Sequence, residues 1–394
     1  MRQQAVILGA GNVGRGFLGQ LFSESGYNVT FVDIDQPLIA ALRSRGSYTI
    51  RLVNNEQTEQ IQVGPVTGLL STDVEAVSQV VAEATIGATA VGARVLPYIA
   101  PTLAAGITLR AKRDEQTPLN IIVCENLKGA AAHLRGLVME HLDEQSRAYL
   151  AEHVGFVDTV IGRMVPELPA ELRAEDPSLI IVEPYKELPV DRSGFVGEIP
   201  TIVGMEPCGN FVLYTARKLY LHNAGHAVLA YLGYRRGHTL GYEALEDPEI
   251  RPILDAALNE SVQGIVARYD ASADWLKAHV ADLLYRFANR VLADPVLRLA
   301  RDPLRKLAPS DRLVGAARTA EAAGLVPVNL AWAIAGALAF DAPDDPIALS
   351  LQERIKAEGL EAVMAAVCQI DAQEPLGKAV LERYRLLHKE ARWQ

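Results

Sequence analysis

The chain has 394 residues, too many for one ordinary core, so two domains are expected. Hydrophobic residues make up 49% and charged residues 22%, a globular composition. The net charge of −10 excludes a general nucleic-acid binder, which needs a basic face to displace counterions. An anionic small substrate then needs a local cationic pocket. The three cysteines, Cys124, Cys208 and Cys368, have no metal-type spacing and suit a reducing compartment. The opening MRQQAVILGAG enters a strand-like run at once, leaving no room there for a signal peptide. The longest apolar stretch, 325–340, is too short to span a bilayer and reads as a buried helix. The expected location is the cytoplasm, without a membrane partner.

Along the first half, short apolar runs alternate with helical patterns, the signature of βαβ units around a parallel sheet. Residues 5–8 and 29–32 read as strands flanking a helix over 12–25. Segments 48–53 and 60–63 alternate around Asn54-Asn55 and predict a hairpin. Further strands are expected at 85–89, 120–123 and 156–160. A Gly/Pro-punctuated stretch, 193–210, precedes a region that is helical in pattern, with helices expected over 212–232, 250–269, 275–287 and 329–339. The fold class is therefore α/β: a Rossmann-like doubly wound sheet over 1–195, followed by a mainly α-helical domain over 196–394.

Gly9-Ala10-Gly11-Asn12-Val13-Gly14 follows the first strand and opens the first helix. Gly9 permits a tight turn, Gly11 lets the backbone approach a pyrophosphate, and Gly14 lets helix and strand pack closely. The phosphates would face the positive end of a helix. A lone GxGxxG is weak, but Asp33 at the end of the second strand supplies a carboxylate for ribose hydroxyls. That carboxylate repels a 2′-phosphate and no arginine follows it directly, so NAD is favoured over NADP. Asp35 reads as a solvated loop acid. Val91-Gly92 ends a further strand where a doubly wound sheet would meet the nicotinamide half, although a bare turn suits those residues nearly as well.

The second informative segment is Lys218-Leu219-Tyr220-Leu221-His222-Asn223-Ala224-Gly225-His226. On an ideal α-helix Asn223 lies about 140° from Lys218, with His226 about 80° from it and between them. One side thus offers an amine, an amide and an imidazole. Oxidising an alcohol with NAD needs a base for the hydroxyl proton and donors for the growing oxyanion. Lys218 can be the base if burial or a neighbouring cation lowers its pKa. Asn223 can donate to the oxyanion and His226 can orient a substrate hydroxyl. Other readings remain open: a satisfied core histidine at 226, or a lysine that snorkels to solvent. His222 and His226 have a zinc-like spacing, but the helix lacks the glutamate of HExxH and no third ligand is evident, so no metal is expected.

The K-x-x-x-x-N-x-x-H pattern of Lys218, Asn223 and His226, the GAGNVGRGF opening and Cys124-Glu125-Asn126 resemble the polyol-specific long-chain dehydrogenases. The resemblance spans almost the full length and includes PLRKL at 303–307 and DRL at 311–313, which are similar to the branch acting on phosphorylated polyols. It implies a zinc-independent enzyme that interconverts mannitol 1-phosphate and fructose 6-phosphate with NAD. Lys218 would be the general acid/base, Asn126 and Asn223 the oxyanion donors, and His226 a substrate ligand. Thr215 stands where some members carry a glutamate on a proton path, and Ala93-Arg94 replaces the branch's Pro-Val.

A phosphorylated substrate needs cations, and the basic cluster of this acidic chain lies over 298–312. Arg305, Lys306 and Arg312 are the expected phosphate ligands, since guanidinium forks suit phosphate oxygens; a solvated basic face is the competing reading. Arg163 and Arg192 are weaker candidates. Two other functions remain: an NAD oxidoreductase for a free polyol or sugar acid, and a non-catalytic NAD-binding sensor. The expected partner is a small sugar phosphate, and the chain could act as a monomer.

Overall fold

The computed structural model describes residues 3–166, 168–389 and 393. It divides into two compact units, Met1–Phe211 and Val212–Gln394. Unit 1 contains, in chain order, the strands β1 (Gln4–Leu8), β2 (Asn28–Asp33), β3 (Tyr48–Val53), β4 (Thr58–Val63), β5 (Val66–Leu70), β6 (Ile86–Thr89), β7 (Leu119–Val123), β8 (Val154–Asp158), β9 (Ile180–Val182), β10 (Leu188–Asp191) and β11 (Met205–Cys208).

Six of them form one parallel sheet in the order β5-β2-β1-β6-β7-β8. With the hairpin strands left out this is the 3-2-1-4-5-6 order, whose direction reverses between β1 and β6. Both faces of such a sheet are covered, which is why its strands read as unbroken apolar runs. In β1, Ala5 and Ile7 enter one core with Phe17, Phe22 and Phe31. Val6 and Leu8 point the other way, into a core with Leu103 and Ile107. The 48–63 hairpin forms as expected, Val53 pairing with Thr58, and β9 adds to its β3 edge in parallel.

The sequence pattern missed β5, whose five residues include Gly68, packed against Ile39 where a Cβ would not fit easily. Residues 205–208, inside the Gly/Pro-punctuated stretch, form β11 and pair in parallel with β10; unit 1 runs to Phe211.

Unit 2 is helical. A long helix runs through Phe211–Arg217, a π-helical turn Lys218–Asn223, and Ala224–Arg235. Around it lie Ile250–Tyr269, Ala273–Phe287, Val296–Ala300, Val314–Ala322, Leu330–Leu338, Pro346–Glu358 and Pro375–Lys389. Every residue of Leu330–Leu338 is buried, as an all-apolar helix requires. A carboxylate from another helix serves its first amides. Glu260 accepts from Asn329 N (3.0 Å), Asn329 Nδ2 (2.7 Å) and Leu330 N (2.9 Å). Burial raises the Glu260 pKa. Among the described residues no helix is long and apolar enough to cross a membrane. All three cysteines are buried and unbridged.

Removing the Glu260 carboxylate would leave three donors without their acceptor, Leu330 N among them in the core. Glu260→Ala is therefore expected to destabilise unit 2 by about 3 kcal/mol or more, with Glu260→Gln falling between it and wild type. Urea unfolding followed by circular dichroism checks the order of the three.

Candidate active site

In unit 1 the glycine-rich turn joins β1 to a helix whose π-helical segment Gly14–Gly19 continues as Gln20–Glu24. Gly9 has φ of +101°, and a Cβ there would lie 2.4 Å from Ala90 O. A Cβ on Gly14 would lie 1.9 Å from Gly9 O, so helix and turn meet backbone to backbone. Gly11 differs: a Cβ there would meet no atom within 4 Å. The protein's own packing does not require that glycine, whereas close approach of a dinucleotide pyrophosphate does. Ala10 is buried beside it, and Asn12 and Val13 begin the helix half-buried.

Asp33 ends β2 and its carboxylate is already organised by backbone. Oδ2 accepts from Ala10 N (2.7 Å) and Oδ1 from Ile34 N (2.7 Å) and Asp35 N (3.1 Å). Each oxygen can take more than one donor, so Asp33 is held in place yet keeps accepting capacity for ribose hydroxyls. Asp35 instead caps the helix Gln36–Arg45, accepting from Leu38 N at 3.1 Å. The residues present therefore fit NAD.

Two side chains that the sequence reading did not single out brace this region. Arg15 is buried, and donates from Nε to Ala10 O (2.6 Å) and from Nη1 to Ser178 O (2.5 Å), tying the glycine turn to the 177–179 segment. Glu125 is buried at the end of β7 and clamps the turn after β6, accepting from Val91 N (3.0 Å) and Gly92 N (2.8 Å). Burial raises its pKa, and the two amides oppose that shift. The amides of Val91 and Gly92 are thus committed to protein, leaving the exposed surface of Gly92, where a Cβ would meet nothing, as the face open to a ligand. Asn126 follows Glu125 directly and is exposed. Glu125 was visible beside Asn126, but its partners lie over thirty residues earlier and carry no side-chain signal. Arg163 is committed to structure, donating to Glu183 O, Gly16 O and Gln20 Oε1.

In unit 2, Lys218, Asn223 and His226 share the long helix, each half-buried. The helix is not α-helical where it matters. Lys218–Asn223 form a π turn, and Ala224 N reaches back five residues to Leu219 O. Bonding between i and i+5 brings residues five apart close to one line along the axis. Lys218 and Asn223 therefore align more nearly than the 140° of an α-helix would allow. π turns of this kind recur at functional sites.

Phe287 was not foreseen as part of this site. Its ring lies tilted by 30° against His226 at 4.1 Å and meets His222 edge-on at 5.7 Å, while the two imidazoles lie 4.9 Å apart. Gly225 permits this: a Cβ there would come 3.0 Å from the Phe287 ring. Burial, then the Lys218 charge, hold both imidazoles well below the usual histidine range, so both are neutral near pH 7. Arg298, Arg286 and Arg312 push His226 the same way. Among the described residues no three His, Cys, Asp or Glu side chains gather as metal ligands would.

The three basic residues expected to hold a phosphate part company in the structure. Arg305 is exposed and pairs with Asp302 at 3.1 Å. Lys306 is buried and donates to Arg301 O, and burial pulls its pKa down to about 7. A lysine held that way is a structural donor and a poor point charge for an anion. Arg312 is buried, with Nε on Asp311 Oδ1 at 2.8 Å.

Residues 3–204 match the mannitol dehydrogenase Rossmann domain and residues 210–385 the mannitol dehydrogenase C-terminal domain. Mannitol-1-phosphate 5-dehydrogenase of Bacillus licheniformis is 38% identical over 382 residues, covering 97% of this chain and 99% of its own. Among solved structures, Pseudomonas fluorescens mannitol 2-dehydrogenase in ternary complex with NAD and D-mannitol is 18% identical, with a TM-score of 0.72 over 99% of this chain and 92% of that one. A substrate-free D-sorbitol dehydrogenase is 17% identical, with a TM-score of 0.82 over 100% and 94%. These two likenesses bear on the fold. The domain matches and the 38% identity go further: the chain belongs to the mannitol dehydrogenase family.

Proposed function

We propose that this NAD-dependent polyol dehydrogenase interconverts D-mannitol 1-phosphate and D-fructose 6-phosphate, with Lys218 as general acid/base. The carrying observation is the π turn that lines up Lys218 with Asn223, one turn from a His226 imidazole held neutral against Phe287. The Bacillus licheniformis relative supports the phosphorylated substrate. The Gly9–Gly14 turn and Asp33 would hold NAD, which supplies a hydride acceptor when bound.

The chemistry divides among the chain's own residues. In the oxidative direction Lys218 Nζ takes the proton of the C5 hydroxyl as the C–H bond breaks, leaving a ketone. In reverse it returns that proton to the carbonyl oxygen. The amide of Asn223 donates to the oxygen while it carries negative charge; a neutral amide stabilises an alkoxide without quenching the lysine. His226, neutral, hydrogen-bonds a substrate hydroxyl and fixes its orientation, without competing with Lys218 for the proton.

NADH oxidation with fructose 6-phosphate, beside fructose and fructuronate, tests this reading in wild type and Lys218→Ala. Turnover is expected with the phosphorylated sugar, and Lys218→Ala should lower kcat by about 10²–10⁴-fold with NADH binding intact. Preference for fructuronate or fructose would move the enzyme to a free-sugar substrate; NADH binding without turnover would favour a sensor.

The buried His222 imidazole also leaves a pH signature. Unfolded histidines protonate near about 6.5, whereas His222 in the folded chain does so only well below that. Once the pH drops under about 6.5 the unfolded chain binds the extra proton, so stability falls with falling pH until the folded pKa is passed. His222→Gln should make that decline shallower, by up to about 1.4 kcal/mol per pH unit. Denaturation midpoints of unit 2 between pH 7 and pH 5 measure both slopes.

A further inference from the structure

We propose that Arg312 is the specificity-determining residue of unit 2, its guanidinium fork receiving the terminal phosphate of the sugar substrate. The inference rests on the polyol-phosphate reading and assigns a site within it.

The case begins with how Arg312 is held. The residue is 8% exposed, and Asp311 occupies only its Nε, through Oδ1 at 2.8 Å. Neither Nη1 nor Nη2 donates to a described residue, yet neither is sealed from solvent. Two uncommitted donor nitrogens that solvent can reach are available to an incoming acceptor. Packing and the Asp311 bond fix the stem, so the fork is ready for bidentate contact with phosphate oxygens. Arg305 and Lys306 lack this combination: one is exposed and paired with Asp302, the other donates to a backbone carbonyl.

Position supports the assignment. Arg312 shortly precedes the helix Val314–Ala322, whose Gly315 would bring a Cβ within 2.9 Å of the Tyr220 ring. Tyr220 lies inside the π turn, between Lys218 and Asn223. The Arg312 charge is felt at His226 and at Tyr231, further along the same helix. The helix Val296–Ala300 also packs against that stretch, Tyr231 Oη donating to Ala300 O at 2.9 Å. It carries Arg298, whose charge also reaches His226. Arg298 is itself paired with Asp294, so for a substrate held at His226 the Arg312 fork is the open donor pair.

The test compares wild type, Arg312→Met and Arg312→Lys, with NADH affinity and thermal unfolding as checks on folding. For Arg312→Met, KM for fructose 6-phosphate should rise about 100-fold while kcat changes less, and inorganic phosphate should cease to compete with that substrate. Arg312→Lys should recover about tenfold of the loss, and it carries the test if the Met variant does not fold. Wild-type KM and wild-type phosphate inhibition in folded variants would overturn the assignment. A kcat loss at unchanged KM would overturn it too. A wild type that does not turn over fructose 6-phosphate would instead sink the substrate reading itself. Fructuronate as the preferred substrate, with the same dependence on Arg312, would replace phosphate by carboxylate and overturn the phosphate assignment.

Discussion

The chemistry proposed for unit 2 depends on one helical turn that is wound too wide. An α-helix carried straight through Lys218–Asn223 would splay the amine and the amide around the axis; i→i+5 bonding gathers them. Such a turn gives up regular hydrogen-bond geometry and persists only where its surroundings hold it. Tyr220 is pressed by Gly315, Leu221 and His222 are buried, and Phe287 fills the space left by Gly225. Contacts from neighbouring helices thus fix a deviation that no local preference would sustain.

Unit 1 follows a different logic, in which backbone groups do most of the positioning. The glycine turn is shaped by contacts of Gly9 and Gly14 with other main-chain atoms. Asp33 and Glu125, two carboxylates at strand ends, each accept from amides of a neighbouring loop. Each carboxylate joins the end of one strand to the loop after the next strand in the sheet, so the ligand-facing edge is braced across strands as well as along them.

What was legible in the sequence follows from this difference. The β1–turn–helix unit could be read because its information is local: an apolar strand, three glycines at fixed spacing and an acid at the next strand's end. The helix Ile250–Tyr269 could be read for the same reason, its apolar residues recurring at helical spacing. β5 and β11 could not, because strands of four or five residues, interrupted by Gly68 or by Pro207, exist through partners far along the chain. The π turn was hidden as well, since Lys218, Asn223 and His226 are compatible with either winding. Burial was the hardest property to foresee in the basic segment. Arg305 and Lys306 are neighbours in sequence, yet one is in solvent and the other in the core. Only the packing of the short helix Pro303–Lys306 decides which is which.

The three cysteines carry a chemical consequence. A thiol attacks disulfides, alkylating agents or peroxide only as thiolate, and only where the reagent can reach it. Burial pushes Cys368 up to about 12, and Cys124 well up, with the adjacent Glu125 charge adding to the shift there. Cys208 is equally enclosed. Although Cys124 stands two residues from Asn126, the native chain offers oxidants no ready sulfur nucleophile. Thiol reactivity in this protein therefore reports unfolding: labelling of Cys124 and Cys208 marks the opening of unit 1, and labelling of Cys368 that of unit 2.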